Sequence, residues 1–244
     1  MTDGVADPAG RPNGADVLRR SAGHVVVDTV GQDGDDVVVI DDDVEYHLRR
    51  VLRLRPGEPV TVTDLAGRWR PTVVAGSRQQ LQLDVVGDVV VADRPARPIT
   101  IAAAIPKGDR LDWMVQKVTE LGVDRLVLLH AERSTTRWDD ARTPAQRERA
   151  VRVSIEACRQ SRRVWGMEID GPVPAVSVLP ACVVAEPGGR PLAASDDAIA
   201  VGPEGGWSDA ELDAAREAVS LGANILRVET AAIAAAALAA ALQR

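Results

Sequence analysis

Short runs of hydrophobic residues alternate with polar ones through the first third of the chain. Turn signals such as Gln32-Asp33-Gly34 and Ala66-Gly67 separate these runs, and one helical segment intervenes around Val44–Leu54. Such spacing is typical of a small β-barrel or sandwich. Residues 1–20 precede it and are predicted to form a flexible arm. The predicted strands are Val25–Val27, Val37–Ile40, Pro59–Asp64, Trp69–Val74 and Gln80–Val86.

The pattern changes after the proline-containing segment GDVVVADRPARPIT, and we place a domain boundary between residues 92 and 93. Continuously apolar strands then alternate with amphipathic helices, which predicts an α/β domain with a parallel sheet covered on both faces. Its predicted strands are Thr100–Ala104, Arg125–Leu129, Ala181–Ala185 and Ala198–Val201. Its predicted helices are Asp109–Leu121, Thr143–Arg159, Asp209–Val219 and Thr230–Leu242.

Composition narrows the possible functions. Aromatic residues make up only 2% of the 244 residues, so stacking of bases on aromatic platforms is not the main mode of nucleic-acid binding. The net charge of -7 argues against a generally basic binder, yet residues 93–165 hold 15 basic and 10 acidic residues. Of the 29 basic residues 27 are Arg, which binds phosphate in bidentate fashion, although a GC-rich genome produces the same bias.

The cysteines and the apolar segments bear on location and metal content. Cys158 and Cys182 lie apart with no zinc-type spacing, which fits a reducing cytoplasm and no metal. The N-terminus has no apolar core of a signal peptide, and the longest apolar stretch, Ala231–Leu242, is too short to cross a bilayer. We therefore expect a cytoplasmic protein with no membrane partner.

The segment Val201–Ser208, VGPEGGWS, follows an apolar strand and precedes a helix. Ser208 is a good N-cap, and Glu211 stands at the capping-box position. A glycine- and proline-rich strand-to-helix turn is the simplest interpretation. However, three glycines and a carboxylate exceed what a turn requires, and glycines let backbone amides approach a ligand at the carboxyl end of a strand.

Two further segments carry embedded charges. In LGANILRVETA, residues 221–231, Arg227 and Glu229 lie in apolar sequence before the last helix, either as a plain ion pair or as site residues. The helix that begins near Asp109 shows apolar residues at helical spacing. Its basic residues, with Arg133, Arg137 and the run 159–163, are either solvated charges or a phosphate-binding surface.

Six blocks in order resemble the RsmE family of small-subunit ribosomal RNA methyltransferases, within the SPOUT superfamily. These blocks are HLRRVLRLRPGE (47–58), KGDRLDWMVQKVTELGV (107–123), ERST (132–135), EACRQSRR (156–163), VGPEGGWSDAEL (201–212) and LGANILRVETAAIAAAALAA (221–240). The resemblance implies methylation of N3 of a uridine in 16S rRNA, with S-adenosylmethionine as cofactor. The implied partners are 16S rRNA or the small ribosomal subunit, and a second copy in a homodimer.

The resemblance also implies the fold: an N-terminal PUA-like β-barrel over residues 21–92 that docks RNA, and an α/β SPOUT trefoil-knot methyltransferase domain over residues 93–244. The three knot loops follow Ala185, span Gly202–Gly206 and span Leu221–Leu226. The cofactor-binding residues implied by the motifs are Ala185, Val201, Gly202, Glu204, Gly205, Gly206, Leu221, Gly222, Ile225, Leu226 and Thr230.

Catalysis requires that the proton on uracil N3 leave, and negative charge then spreads onto O2 and O4. Arg227 is the candidate cation that stabilises this charge, with Glu229 orienting it or accepting the proton. Because N3 is a Watson–Crick edge atom, the target uridine must be unpaired or flipped out. The candidate RNA-binding residues are Arg49, Arg50, Arg53, Lys107, Arg110, Lys117, Arg159, Arg162 and Arg163.

Two departures from the family pattern keep alternatives open. Ala223-Asn224 stands where the family usually has Pro-Arg, and Val228 stands where it usually has Thr. The alternatives are a SPOUT enzyme of other regiospecificity, such as a ribose 2′-O-methyltransferase, and a catalytically silent RNA-binding homologue.

Overall fold

A computed structural model describes residues 14–76 and 81–243. The chain divides into two units. The first comprises the residues up to Arg94 together with Cys158–Trp165, and the second comprises Pro95–Ala157 and the residues from Gly166 onward. Segment 158–165 groups with the first unit, whereas the sequence assigned it to the second. Among the described residues, no helix has the length and apolar character that a membrane span requires.

The first unit is built on a six-stranded sheet of order β1-β3-β4-β5-β2, with β6 paired to β4. Only β1 and β3 run parallel, and the other pairs are antiparallel. Its buried core is aliphatic and includes Val25, Leu48, Val60 and Leu83. The strands are β1 (Gly23–Val26), β2 (Val37–Val38), β3 (Pro59–Thr63), β4 (Arg68–Gly76), β5 (Leu81–Val85) and β6 (Val90–Val91).

Two helical segments of this unit differ from the sequence expectation. Within the predicted arm, residues 14–20 form helix α1 (Gly14–Arg20), with Asp16 in its first turn and two arginines in its last, as the helix dipole favours. Residues 1–13 of that arm lie outside the described residues. The segment predicted as one helix forms α2 (Asp42–Tyr46) and then a π-helical turn, His47–Val51.

The second unit contains a six-stranded sheet of order β12-β10-β11-β7-β8-β9 in which every pair is parallel. Alternate residues pack on opposite faces: Ile101 and Ala103 join one apolar cluster, and Ala102 joins the other. This confirms the predicted α/β class. The strands are β7 (Thr100–Ala104), β8 (Arg125–His130), β9 (Glu168–Pro174), β10 (Val183–Pro191), β11 (Ala198–Val201) and β12 (Glu217–Ser220). The helices are α3 (Arg110–Glu120), α5 (Asp209–Ala214), α6 (Val228–Leu242) and α4 (Thr143–Ser161), which belongs to this unit as far as Ala157.

The largest local difference from the sequence prediction lies at residues 209–219, which were predicted as one helix. Helix α5 ends at Ala214, and β12 follows and pairs with β10. Val219 is fully buried in this pairing, so sheet formation overrides the helix propensity of an Ala- and Glu-rich segment. Strand β9 was not predicted at all, and strand β10 starts at Val183 because Leu179–Ala181 forms a 3₁₀ turn.

Candidate active site

A cavity of about 420 Å³ lies at the carboxyl ends of β11 and β12 and beside the middle of β10, the strand between them in the sheet. Its volume falls within the range of about 300–1,000 Å³ that small-molecule sites occupy. The carboxyl edge of a parallel sheet is also where α/β proteins bind ligands. The lining residues are Ala185–Pro187, Val201–Trp207, Ser220–Gly222, Asn224–Arg227 and Ala231.

Ten of the eleven predicted cofactor-binding residues line this cavity, although they lie on three separate segments of the sequence. The exception is Thr230, which is exposed in the first turn of α6 and does not line it. Ile225 lines the cavity with 90% of its surface exposed, so an aliphatic side chain stands open to solvent at its rim. Leu221 and Leu226 are partly buried against the core of the unit.

The loop Gly202–Trp207 folds around the buried ring of Trp207. A Cβ atom at Gly202 would lie 2.8 Å from Cε2 of that ring, and Gly206 has a φ of +71°. Both positions therefore favour glycine for structural reasons, one because of close approach and the other because of backbone conformation. The sequence left two explanations for these glycines, a simple turn and ligand access, and at Gly202 and Gly206 the geometry of the turn itself requires glycine.

Glu211 connects this loop to a neighbouring segment. As predicted, it forms a capping box with Ser208, whose backbone N–H donates to Oε2 of Glu211 at 2.9 Å. In addition, Oε1 accepts a 2.8 Å hydrogen bond from the backbone N–H of Glu132. Arg133 donates to the carbonyl oxygen of Trp207 at 2.9 Å. The ERST block therefore supports the cavity loop, a role that only its presence among the family motifs could have indicated.

Arg227 is the N-cap residue of α6, has an extended backbone and lines the cavity. Its guanidinium makes no hydrogen bond or ion pair within the described residues. By contrast, Arg133 and Arg137 of the same unit donate to backbone carbonyl groups. Arg227 is thus an exposed cation at the cavity whose donors are available to a ligand.

Glu229 does not pair with Arg227. Arg227 precedes the helix with an extended backbone, whereas Glu229 lies in the first turn of α6, and its buried side chain meets Arg110, whose Nη1 lies 3.3 Å from its Oε1. The same Nη1 lies 3.9 Å from Oε1 of the cavity residue Glu204. Arg110, predicted to bind RNA, therefore contacts two carboxylates, and Oε2 of Glu229 is buried with no hydrogen-bond partner among the residues that the structure describes.

The remaining predicted RNA-binding residues occupy both units. Arg49, Arg50 and Arg53 line a second cavity in the first unit, and Arg162 of that unit donates to the carbonyl oxygen of Ser21 at 2.6 Å. Arg159 and Arg163 belong to the same unit. In the second unit Lys117 pairs with Glu120 at 2.8 Å, and Lys107 is exposed at the start of the α3 region.

None of the residues that line the cavity is a histidine. Burial, and secondarily the charge of Arg137, lowers the pKa of His130, whose Nε2 accepts the backbone N–H of Trp138 at 3.1 Å. Burial lowers the pKa of His24, in the first unit, to about 4. Within residues 14–76 and 81–243, no group of three or more His, Cys, Asp or Glu side chains is arranged to hold a metal ion.

Comparison with known proteins places this arrangement in a family. A profile of the RNA methyltransferase domain matches residues 93–240. The ribosomal RNA small subunit methyltransferase E of Mycobacterium bovis is 34% identical over 230 residues, covering 84% of this chain and 86% of that relative. This chain belongs to the RsmE family. The RsmE protein of Bacillus subtilis is 29% identical over 220 residues, covering 76% and 82% of the two chains.

Solved structures agree with this assignment. The RsmE structure from Neisseria gonorrhoeae, which was determined bound to S-adenosyl methionine, matches with a TM-score of 0.75 and 26% identity. The match covers 88% of this chain and 95% of that one. The second unit therefore has the α/β methyltransferase fold of RsmE structures.

The departures from the RsmE pattern fall at different places in the structure. Val228, which replaces the usual Thr, is buried in the hydrophobic core at the first helical position of α6. Ala223 and Asn224 are exposed, and Asn224 lines the cavity. The change at 228 thus contributes to packing, whereas Asn224 changes the cavity surface itself.

Proposed function

We propose that this protein methylates N3 of a uridine in the 16S ribosomal RNA of the small subunit, with S-adenosylmethionine as methyl donor. The observation that carries the proposal is the convergence of ten predicted cofactor-binding residues, from three separate segments, on one cavity at the carboxyl edge of the sheet. The names of the RsmE relatives support the RNA substrate class. A protein that only binds RNA would not require a small-molecule cavity of this kind.

The charges around the cavity match those of the proposed cofactor. S-adenosylmethionine carries a sulfonium, an ammonium and a carboxylate. The lining includes the carboxylates of Glu186 and Glu204, while the guanidinium of Arg227 at the same cavity is assigned to the substrate. Opposite charges placed in a partly desolvated site favour binding and orientation, so the two carboxylates suit the sulfonium and the ammonium of this ligand.

The uncharged lining suits the rest of the cofactor. Leu221, Ile225 and Leu226 provide an aliphatic wall for the adenine, and the backbone of Gly205 and Gly206 is accessible to the methionine moiety. When bound there, the cofactor supplies an electrophilic methyl group on sulfur. The task of the protein is then to hold donor and acceptor in line, because methyl transfer is a direct displacement.

Arg227 is the proposed catalytic residue. Loss of the N3 proton leaves negative charge on the uracil oxygens, and a guanidinium at the cavity rim stabilises that charge. Since Arg227 has no partner in the described residues, its donors need not be released from another contact before they meet the substrate. The second catalytic prediction, Glu229, is better explained as a positioning residue because it faces Arg110.

Substrate binding is proposed to use the nine basic residues identified from the sequence. Arg49, Arg50 and Arg53 surround a cavity of about 470 Å³ together with Arg55. Such a concentration of guanidinium groups suits phosphodiester oxygens, which accept bidentate hydrogen bonds. Arg110 is the member of the set with the weakest case, since two carboxylates already lie near its guanidinium.

Several finer features implied by the family resemblance are part of the same proposal. Residues 21–92 are proposed to form a PUA-like β-barrel that docks RNA, and residues 93–244 a domain whose C-terminal segment passes through a trefoil knot. The protein is proposed to act as a homodimer in the cytoplasm. The membership of the chain in the family and the six ordered motifs support these four features.

The proposal is tested by incubating the protein with unmethylated small subunits and S-adenosylmethionine labelled in the methyl group. Digestion of the 16S rRNA and mass spectrometry of the nucleosides should yield 3-methyluridine. Recovery of a 2′-O-methylated nucleoside would identify a SPOUT enzyme of other regiospecificity. Absence of any label, with intact RNA binding, would identify a silent homologue.

A further inference from the structure

Strand β10 contains a bulge beside the cavity. Ala185 pairs with Val219 of β12, and so does Arg190, so residues 186–189 are looped out between two adjacent pairings. Glu186 and Pro187, the first residues of this bulge, line the cavity. One wall of the proposed cofactor site is therefore an irregular segment with no ladder partners of its own.

Two glycines allow the bulge to form. Gly188 has a φ of +83°, a conformation that other residues adopt only with strain. A Cβ atom at Gly189 would lie 2.6 Å from the backbone of Ala218, so the chain returns to β12 at close range. Glycine provides this freedom but no rigidity, so other contacts must fix the bulge.

Arg190 supplies such contacts directly after the bulge. Its Nη1 and Nη2 donate to the two carboxylate oxygens of Asp196 at 2.7 and 3.0 Å, and its Nε donates to Glu217 at 2.7 Å. Asp196 is buried and also accepts the backbone N–H of Ala193 at 2.7 Å. Hydrogen bonding to Arg190 is the main reason that the pKa of Asp196 is lowered.

These contacts join three parts of the unit. Glu217 is the first residue of β12, and Asp196 lies two residues before β11, the strand that leads into the glycine-rich loop at Gly202. The planar guanidinium binds both carboxylates at once, with a bidentate pair on the buried one. A lysine has a single compact ammonium and cannot reproduce this geometry.

We infer that Arg190, with Asp196 and Glu217, is a positioning residue for the methyl donor: it holds the bulge of residues 186–189 as a wall of the cavity. This inference rests on the proposed cofactor site. None of the three side chains lines the cavity, so their effect on the donor passes through Glu186 and Pro187. We call these three residues the clamp. The clamp is expected to affect the affinity for the cofactor more than the rate of methyl transfer.

The test compares Arg190→Lys and Glu217→Ala with the wild-type protein. Glu217 is largely exposed, and its removal leaves the buried Arg190–Asp196 pair intact, so this variant should fold. If the loosened bulge keeps its binding geometry about a tenth of the time, the dissociation constant for S-adenosylmethionine rises about tenfold, since affinity scales with the competent fraction. Calorimetric titration measures this constant, at a temperature well below the melting temperature of each variant so that all the protein is folded.

Arg125→Lys is the matched control. Arg125 on β8 donates a hydrogen bond of 2.7 Å to Asp170 on β9, at the edge of the sheet opposite to β12. The inference predicts a raised KM for the cofactor in both clamp variants, an almost unchanged kcat at saturation, and no change in the control. Equal affinities in the clamp variants and the wild type would overturn it while leaving the proposed function intact. A wild-type protein that binds no S-adenosylmethionine would overturn both.

Discussion

Nη1 of Arg110 lies 3.3 Å from Oε1 of Glu229, and these two residues are separated by more than half of the second unit's sequence. The pair joins the first turn of α3 to the first turn of α6, where a carboxylate is favoured by the helix dipole. The structure thus separates two residues that the sequence grouped: Arg227 faces the cavity, and Glu229 anchors the helix that carries Arg227.

Replacing Arg227 with Ala should reduce methylation by a factor of about 100 to 1,000 or more, as the loss of one charge-stabilising donor does in other enzymes. S-adenosylmethionine should still bind, because the apolar wall and the glycine-rich loop are unchanged. Single-turnover methylation and calorimetry measure the two effects. Arg152→Ala, an exposed helix arginine paired with Glu148, is the control. A fully active Arg227→Ala protein would refute the assignment.

Replacing Arg110 with Ala should destabilise the fold, because it leaves a buried carboxylate without its cation. The expected loss in the free energy of unfolding is about 1–3 kcal/mol, the usual effect of an unsatisfied buried polar group. A second change, Glu229→Gln, should recover part of that loss. Denaturant unfolding of the two single variants and the double variant gives the coupling. Strictly additive losses would show that the pair contributes nothing.

Glu211→Gln should loosen the cavity loop. Glu211 accepts backbone N–H groups with both carboxylate oxygens, whereas a glutamine presents an NH2 group to one of those donors. We expect a loss of about 1–3 kcal/mol of stability and weaker cofactor binding. Asp213→Asn makes the same change from carboxylate to carboxamide at an exposed position of the same helix, and it should have neither effect. Similar melting temperatures and dissociation constants for both variants would contradict this role.

His24 should make stability depend on pH. Burial lowers its pKa from 6.5 to about 4, with a smaller lowering from the charge of Arg162, while its bond to the carbonyl oxygen of Arg163 opposes the shift. The unfolded chain therefore binds more protons between these values, and stability is complete above pH 6.5 and falls as the pH drops towards 4. The loss is up to about 3 kcal/mol.

The measurement is the free energy of unfolding of the wild type and His24→Gln across that range. The variant should lose part of the slope between pH 6.5 and 4, because the residue that takes up the proton is gone. An identical slope in both proteins would show that the acid sensitivity arises elsewhere.

RNA binding should weaken as salt increases, since phosphate contacts release counterions. Replacing Arg50 or Arg53 with Ala should reduce the slope of log K against log salt by about 0.7 per lost contact to single-stranded RNA. Fluorescence anisotropy with a 16S rRNA fragment measures this slope, and Arg125→Ala is the control. A slope that is unchanged in both variants would remove these arginines from the RNA surface.

Much of the second unit could be predicted from the sequence because its strands are short, apolar and separated by clear helices. Thr100–Ala104 and Ala198–Val201 are correct to the residue. Strand β12 could not be predicted, because Glu217–Ser220 becomes a strand only through pairing with β10. A strand of four residues is too short to show the alternation of apolar and polar residues by which a strand is recognised in a sequence.

The cavity could be predicted as a set of residues, since the motifs at 201–206 and 221–226 identify its loops. The charge network around it could not. Arg110 and Glu229 lie far apart in the sequence, and Arg190 stands in a segment without any recognised motif. Long-range ion pairs depend on which strand ends and helix starts become neighbours, and that is decided by the fold rather than by local spacing.

The proposed function requires that the cavity beside β10, β11 and β12 hold S-adenosylmethionine, and calorimetric titration measures this binding. The proteins to compare are the wild type, Ile225→Asp at the cavity rim and Val39→Asp, an exposed aliphatic residue of the first unit. We expect one bound molecule per chain in the wild type and Val39→Asp, with affinity about tenfold weaker in Ile225→Asp, since one aliphatic contact is worth about 1.5 kcal/mol or more. Equal binding by all three proteins, or no binding by the wild type, would contradict it.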